Sequence, residues 1–118
     1  FKEAMNSDVE EIELDFRLTK DNVHVCNHDP ELKLTRTKEL LLSKYTYYQI
    51  NEGKKRIATL EEILEHFAMY KHNRILNIDI KDYGNEEEII RLIKKYNVKK
   101  NVVLISWIPK VLEKIRRL

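Results

Sequence analysis

The stretch from Glu11 to Pro30 constrains the fold of this chain most, because it predicts two strands joined by a tight turn. Along its first half, apolar side chains alternate with polar ones: Ile12, Leu14, Phe16 and Leu18 with Glu11, Glu13, Asp15 and Arg17. This period of two predicts a strand with one apolar face and one polar face. A second strand is predicted over Val23–Asn27, after a turn at Asp21-Asn22 in which asparagine tolerates a positive φ.

The polar face of the first strand carries two carboxylates, Glu13 and Asp15. They are two residues apart, about 6.5–7 Å along a strand, so their side chains can converge on one cation. The second strand then ends at His28 and Asp29. A Glu-x-Asp pair by itself usually belongs to a solvated strand face, so it points to a site only in combination with other residues.

Helices and strands alternate along the second half of the chain. The segment Leu32–Arg56 has mixed composition and suggests no chemistry, and the last turns of a helix are predicted over Phe1–Ser7. The elements predicted after Arg56 are a helix from Thr59 to about Lys71, a strand over Arg74–Lys81, a helix from Glu86 to about Tyr96, a strand over Asn101–Ser106 and a helix from Pro109 to Leu118. Capping signals accompany each helix: a Thr59–Glu62 capping box, Asn85 as an N-cap, and Pro109 in a first turn.

Such alternation predicts right-handed βαβ units and a parallel sheet, as in a barrel or a doubly wound fold. The strand over Asn101–Ser106 is almost entirely apolar, which is typical of a parallel strand buried on both faces. Asp79 and Lys81 occupy the polar face near the end of the strand Arg74–Lys81. Ligands bind at the carboxyl ends of such strands, so Glu13, Asp15, His28, Asp79 and Lys81 are expected to meet there.

Three carboxylates that face one interior need a counter-charge, because their mutual repulsion and desolvation are costly. All-oxygen ligands favour Mg²⁺, Ca²⁺ or Mn²⁺ over Zn²⁺, so Glu13, Asp15 and Asp79 are the candidate metal ligands. His28 beside the metal is a candidate general acid/base. Lys81 is placed to neutralise charge on a substrate phosphate.

The same residues resemble the motifs of the glycerophosphodiester phosphodiesterase family almost from end to end. The matching segments are Ile12-Glu13-Leu14-Asp15, Leu18-Thr19-Lys20-Asp21, His28-Asp29, Ile57-Ala58-Thr59-Leu60-Glu61-Glu62 and Leu76-Asn77-Ile78-Asp79-Ile80-Lys81. The resemblance implies an α/β fold, a TIM (β/α)8 barrel, and since such barrels take roughly 250 residues, residues 1–118 are expected to form one incomplete domain of roughly half a barrel. It implies hydrolysis of glycerophosphodiesters with a divalent cation, Mg²⁺ or Ca²⁺, on Glu13, Asp15 and Asp79, and with His28 as acid/base.

The family's His-Arg-Gly motif, which carries a second catalytic histidine, does not occur in these 118 residues. Hydrolysis by this chain alone is therefore expected to be impaired. Two alternatives stay open: a non-catalytic half-barrel module that binds metal or phosphate, and a phospholipid lyase resembling sphingomyelinase D.

Partners and location follow from charge and composition. The net charge is +2, but residues 94–118 contain eight Lys or Arg and one Glu, which gives +7 for this segment. These cations fall on outer helix faces, so no nucleic acid partner is expected. No apolar run is long enough to span a membrane and no leader is visible, so a cytoplasmic location is expected. About five strands cannot close a barrel, so self-association or pairing with the missing part of the barrel is also expected.

Overall fold

A computed structural model describes residues 9–118, which form a mixed α/β fold. The predicted helical turns over Phe1–Ser7 lie outside the described residues. The strands are β1 (Glu10–Leu18), β2 (His24–Cys26), β3 (Glu31–Lys33), β4 (Glu39–Leu41), β5 (Arg74–Ile80) and β6 (Val102–Ile105). The α-helices are α1 (Tyr47–Ile50), α2 (Leu60–Met69), α3 (Glu86–Lys95) and α4 (Pro109–Arg116), with 3-10 turns at Leu42–Lys44 and Lys99–Asn101.

Four strands form the main sheet, in the order β2-β1-β5-β6. β1 pairs with β2 antiparallel and with β5 parallel, and β5 pairs with β6 parallel. The predicted parallel α/β arrangement is therefore confirmed. Among residues 9–118, three strands run parallel, whereas about five strands were predicted for the barrel. The register places Asp15 opposite Asp79, and Asp79 opposite Ile105.

The sheet has one face covered by helices and one face, here called the inner face, that carries Glu13, Asp15 and Asp79. Helices α2, α3 and α4 place apolar residues at i, i+3 and i+4 against the covered face, which makes the main core. Its fully or nearly buried members are Phe16, Leu60, Leu64, Phe67, Leu76, Ile78, Ile80, Ile89, Leu92, Ile93, Val98 and Val111. In α3 the buried stripe runs through Ile89, Leu92 and Ile93, whereas Ile90 is only partly buried.

Strand β6 departs from its prediction. Val103 and Ile105 are 46% and 36% exposed, so β6 is not buried on both faces. Both residues lie on the inner face, since Val103 pairs with Asn77 and Ile105 with Asp79. In the part of the chain that the structure describes, nothing packs over this face along β6, which is why an apolar strand remains half uncovered.

The segment Leu32–Arg56, for which the sequence predicted no elements, contains strands and helical turns. β3 and β4 form a hairpin, and α1 begins at a Thr46–Gln49 capping box. A second core of Val25, Leu42, Ile50 and Ile57 joins this segment to β2. This segment is thus anchored to the edge of the sheet that β2 forms.

The turn and cap predictions have mixed outcomes. Asn22 adopts a φ of 62° in the β1–β2 turn, and the Thr59–Glu62 capping box is present in α2. Asn85 precedes α3 but does not cap it with its side chain. Its φ is 55°, and its amide nitrogen Nδ2 donates to the carbonyl oxygen of Asn22 at 2.7 Å, so this asparagine joins α3 to the turn instead.

Three of the eight basic residues in 94–118 pair with acidic side chains: Lys95, Lys114 and Arg117. Lys95 Nζ lies 2.7 Å from Glu61 Oε2, and Lys114 Nζ lies 2.8 Å from Glu87 Oε2. Such pairs are typical of a solvated helix face. Within residues 9–118, no helix combines the length and the apolar composition needed to cross a membrane.

Candidate metal centre and active site

The parallel pairing of β1 with β5 brings three carboxylates together on the inner face. Oxygen atoms of Glu13, Asp15 and Asp79 all lie within 4.8 Å of one another. Glu13 is exposed, Asp15 is partly buried, and Asp79 is buried with 5% of its surface exposed. The structure thus assembles the three residues that the sequence pattern singled out, because Asp15 and Asp79 are direct partners in the ladder.

Asp79 is the best defined of the three. Its Oδ2 lies 3.1 Å from Lys81 Nζ, while its buried Oδ1 has no hydrogen-bond partner among residues 9–118. A buried carboxylate oxygen without a partner costs free energy, and a cation would satisfy it. Oxygen-only ligands that converge from one exposed, one intermediate and one buried residue suit a hard divalent ion with room for water or phosphate oxygens. The residues present therefore fit a hard divalent cation.

Lys81 extends the inner face at the carboxyl end of β5. Its backbone nitrogen donates to the carbonyl oxygen of Phe16 at 3.0 Å, which continues the β1–β5 ladder one step past the strand. Its side chain is 18% exposed and already contacts Asp79. Lys81 therefore presents a fixed positive charge beside the three carboxylates.

His28 lies next to the carboxylates but not among them. The backbone nitrogen of Asn27 donates to the carbonyl oxygen of Asp15 at 3.0 Å, so the chain reaches His28 alongside β1. The imidazole is 72% exposed, and its Nδ1 lies 2.9 Å from Asp29 Oδ1. The His-Asp pair that the sequence singled out is therefore a real contact at the edge of the inner face.

Arg17 and Asp82 connect the parts of this site, and the sequence did not reveal them. Arg17 Nε donates to the carbonyl oxygen of His28 at 3.1 Å, and its Nη1 lies 3.1 Å from Asp82 Oδ1. Asp82 Oδ2 also accepts from the backbone nitrogen of Leu18 at 2.9 Å. The period of two places Arg17 on the polar face, but its partner Asp82 is 65 residues away, so no local pattern could have shown the pair.

Two further ionisable side chains, His24 and Cys26 of β2, have surroundings that favour their uncharged forms. Burial, with the nearby Asp15 charge, raises the pKa of the Cys26 thiol, which fits a packing residue rather than a nucleophile. Burial lowers the pKa of His24, although a contact with the Asn85 carbonyl oxygen 3.0 Å from Nε2 opposes that shift. Neither residue belongs to the carboxylate cluster.

An apolar groove lies on the other side of the sheet. It has a volume of about 660 Å³ between β1 and α2, and its walls include Ile12, Leu14, Ile63, Phe67 and Tyr70. These residues face away from the three carboxylates, because Ile12 and Leu14 alternate with Glu13 along β1. The groove is therefore not part of the candidate metal centre.

Comparison with known proteins supports the motif resemblance. The sequence profile of the glycerophosphoryl diester phosphodiesterase family matches residues 1–118. A glycerophosphodiester phosphodiesterase from Caldanaerobacter subterraneus subsp. tengcongensis is 33% identical over 123 residues, which cover 91% of this chain and 50% of that protein. The chain thus spans about half the length of the relatives it matches.

Solved structures show the same relation in three dimensions. A putative glycerophosphoryl diester phosphodiesterase from Silicibacter pomeroyi superposes with a TM-score of 0.78 at 18% identity, over 92% of this chain and 51% of that one. A glycerophosphodiester phosphodiesterase from Agrobacterium tumefaciens superposes with a TM-score of 0.75 at 19% identity, over 92% and 50%. The predicted fold, about half of a TIM barrel of this kind, is confirmed.

Proposed function

Because the chain belongs to the glycerophosphoryl diester phosphodiesterase family, we propose that it supplies the metal- and phosphate-binding part of an enzyme that hydrolyses glycerophosphodiesters. The products would be an alcohol and glycerol phosphate. One observation carries this proposal: three carboxylates converge within 4.8 Å, and the buried one has an oxygen with no partner in the described part of the chain.

Glu13, Asp15 and Asp79 would hold the divalent cation, Mg²⁺ or Ca²⁺. When bound, such a cation polarises a phosphoryl oxygen and offsets charge that develops during hydrolysis. Asp79 contributes the least solvated oxygen, so it would orient the ion, and the more exposed Glu13 would complete the shell from the solvent side. A phosphodiester that reaches this site would also meet Lys81, whose ammonium group attracts its second non-bridging oxygen.

His28 is the proposed general acid/base. If Nδ1 carries the proton and donates it toward Asp29 Oδ1, Nε2 keeps a lone pair that can accept a proton from the attacking group. Asp29 then fixes the tautomer, as a carboxylate does for the histidine of many hydrolases. A charged Asp29 would also stabilise the imidazolium after the transfer.

We further propose that these 118 residues alone turn over glycerophosphodiesters slowly or not at all. One positioned acid/base group contributes typically ~10²–10⁴-fold, and the His-Arg-Gly histidine of the family is one such group that this sequence does not contain. The alternative of a non-catalytic module gains support from the 72% exposure of His28. Turnover at ordinary enzyme rates that disappears in His28→Ala would overturn both statements.

Calorimetric titration with Mg²⁺ and with Ca²⁺ tests the metal site directly. The wild type is expected to bind one ion, and Asp15→Asn is expected to weaken binding by on the order of a hundredfold, since it removes a charged ligand. Glu11→Gln is the matched control. Glu11 lies on the same face of β1, and its Oε1 accepts from Asn77 Nδ2 at 3.1 Å, but it is outside the cluster. Equal binding by wild type and Asp15→Asn would remove Asp15 from the site.

The open edges of the sheet support the expectation of a partner. In the described residues, β1 from Glu10 to Leu14 pairs with β5 only, and β6 pairs with β5 only. Such edges present unpaired backbone groups, and the groove over Ile12 and Leu14 offers apolar surface beside one of them. We propose that the chain pairs with another copy or with the rest of a barrel. Sedimentation equilibrium at micromolar concentration tests this, and a cooperative monomer would contradict it.

A further inference from the structure

Trp107 is the single tryptophan of the chain, and 86% of its surface is exposed. It follows β6 directly, at the carboxyl end where the proposed site lies. Large exposed aromatic side chains beside a polar site are unusual on a solvated surface, because burying them against a ligand is favourable. Val103 and Ile105 of β6 are also exposed because the inner face is uncovered there, but the ring of Trp107 is about twice as exposed as either.

The backbone around Trp107 is firmly held. The hydroxyl of Ser106 donates to the carbonyl oxygen of Ile80 at 2.6 Å and accepts from the backbone nitrogen of Ile108 at 3.1 Å. α4 begins immediately afterwards, at Pro109. Hydrogen bonds on both sides of Trp107 thus fix the position from which its indole projects, so the exposure is not that of a loose loop.

The register sets the distance between Trp107 and the proposed site. Ile105 is the last residue of β6 and the partner of Asp79, so Trp107 follows two residues later at the same end of the sheet. Two residues span at most about 7 Å and neighbouring strands lie about 5 Å apart, so the Cα of Trp107 lies within about 12 Å of that of Asp79. If a phosphodiester is bound at Asp79 and Lys81, one of its two alcohol substituents can extend toward Trp107.

We propose that Trp107 is a specificity-determining residue that contacts the carbon skeleton of one alcohol substituent of the bound phosphodiester. This inference rests on the proposed function, because it needs the phosphate to be held at Asp79 and Lys81. Indole faces pack well against C–H groups of polyols and against apolar chains. Tyr83 is less suited to this contact, since Lys110 Nζ already lies 5.9 Å from its ring centroid.

The charges at this edge do not select the substituent. Lys81 Nζ lies 3.1 Å from Asp79 Oδ2 and Lys110 Nζ lies 5.9 Å from the Tyr83 ring centroid, so both ammonium groups already have partners. An indole face packs against a polyol and also attracts a quaternary ammonium. Trp107 is therefore expected to contact either kind of substituent and to leave inorganic phosphate binding unchanged.

Trp107 provides its own optical probe, because no other tryptophan contributes to the fluorescence. Glycerophosphoinositol added to the metal-loaded chain is expected to shift or quench the emission, while inorganic phosphate, which has no substituent, is expected to bind with little change. In calorimetry, Trp107→Ala is expected to weaken glycerophosphoinositol binding by on the order of tenfold, with phosphate affinity unchanged and with Trp107→Phe restoring most of the loss. Tyr48→Ala is the control, since Tyr48 is 78% exposed in α1.

The possible outcomes separate the two proposals. If inorganic phosphate binds the metal-loaded chain but Trp107→Ala binds glycerophosphoinositol as tightly as the wild type, the role of Trp107 is wrong and the phosphate site stands. If the wild type binds neither metal nor inorganic phosphate, the proposed function itself fails and the inference fails with it.

Discussion

Asp79 and Glu86 lie seven residues apart, and each has a buried side-chain oxygen without a hydrogen-bond partner in the described chain. Asp79 is 5% exposed at the end of β5, and Glu86 is fully buried at the start of α3. Around Asp79, two more carboxylates approach within 4.8 Å. Around Glu86, the nearest groups are donors and a cation: Gly84 nitrogen at 2.7 Å from Oε2, and Lys114 Nζ at 3.9 Å from Oε1.

The difference shows what distinguishes a ligand site from a structural polar contact. A single unpartnered oxygen appears in both regions, so it cannot identify a site by itself. What separates them is the balance of the surrounding charge. At Asp79 one ammonium group, Lys81 Nζ at 3.1 Å, faces three carboxylates, so the cluster keeps an excess of negative charge that a bound cation would relieve. At Glu86 a backbone donor and an ammonium group face a single buried carboxylate. Asp79 is therefore expected to lower the stability of the empty chain, and Glu86 to raise it.

Replacing Glu86 by alanine is expected to have the largest effect on folding. It removes the acceptor for the Gly84 nitrogen and leaves a cavity under α3, a loss of about 2–4 kcal/mol in the free energy of unfolding. Glu86→Gln keeps the acceptor and the volume, so it should cost clearly less. Urea denaturation measures both, with Glu87→Ala as the exposed neighbouring control. If Glu86→Ala were as stable as Glu87→Ala, Glu86 would not stabilise the fold, and the contrast with Asp79 would be wrong.

Asp79→Asn is expected to act on the bound state rather than on the fold. Without metal, the variant should be as stable as the wild type or slightly more stable, because one of three converging charges is gone. With Ca²⁺ at about a hundred times the dissociation constant, the wild type should gain about 2.7 kcal/mol and the variant almost nothing. Thermal unfolding with and without Ca²⁺ gives both values, with Glu11→Gln as the matched control. If the variant lost stability without metal, Asp79 would stabilise the fold in the way proposed for Glu86.

The candidate site was predictable from the sequence because its residues obey the strand period. Glu13, Asp15, Asp79 and Lys81 all fall on polar positions of strands that are otherwise apolar, and parallel strands meet at their carboxyl ends. Their motifs also match a known family, which assigns the same residues to a site. Local periodicity and family resemblance carried the prediction together.

The features that the sequence did not reveal all depend on distant contacts. Glu86 looked like one of three helix-terminal acids, and only the approach of α4 and of the Lys81–Asn85 loop buries it. Arg17 and Asp82 form a pair although they are 65 residues apart in the sequence. The fold of Glu31–Ile57 depends on a core that this segment shares with Val25. Secondary-structure propensity does not encode contacts between residues that are distant in sequence. Tertiary packing determines these features instead.

His24 gives a smaller, pH-dependent test of the Glu86 region. Burial holds its pKa below the ordinary value of 6.5, against the opposing charges of Glu86, Glu88 and Asp82. The unfolded chain therefore takes up a proton more readily than the folded chain. Stability should be complete above about pH 6.5 and should fall as the pH drops through that value.

Urea denaturation at about pH 7.5 and about pH 5.5 measures this dependence. His24→Gln should flatten it, while His72→Gln, at an exposed position, should leave it unchanged. If the wild type were equally stable at both pH values, the buried histidine would not be an energetic part of the region around Glu86.

Arg17→Lys is expected to have the smallest effect on stability, and it tests the connection between the two regions. Arg17 binds the His28 carbonyl oxygen and Asp82 at once, a geometry that needs the planar guanidinium and that a lysine cannot reproduce. Because the pair is partly exposed, with side-chain exposures of 18% and 34%, the loss should be only about 0.2–1 kcal/mol. The segment around His28 should nevertheless loosen. Faster amide hydrogen exchange near His28, with unchanged exchange in α2, would show that Arg17 positions the proposed acid/base through the same loop that leads from Asp79 to Glu86. Unchanged exchange near His28 would mean that the Asn27–Asp15 hydrogen bond alone holds this segment.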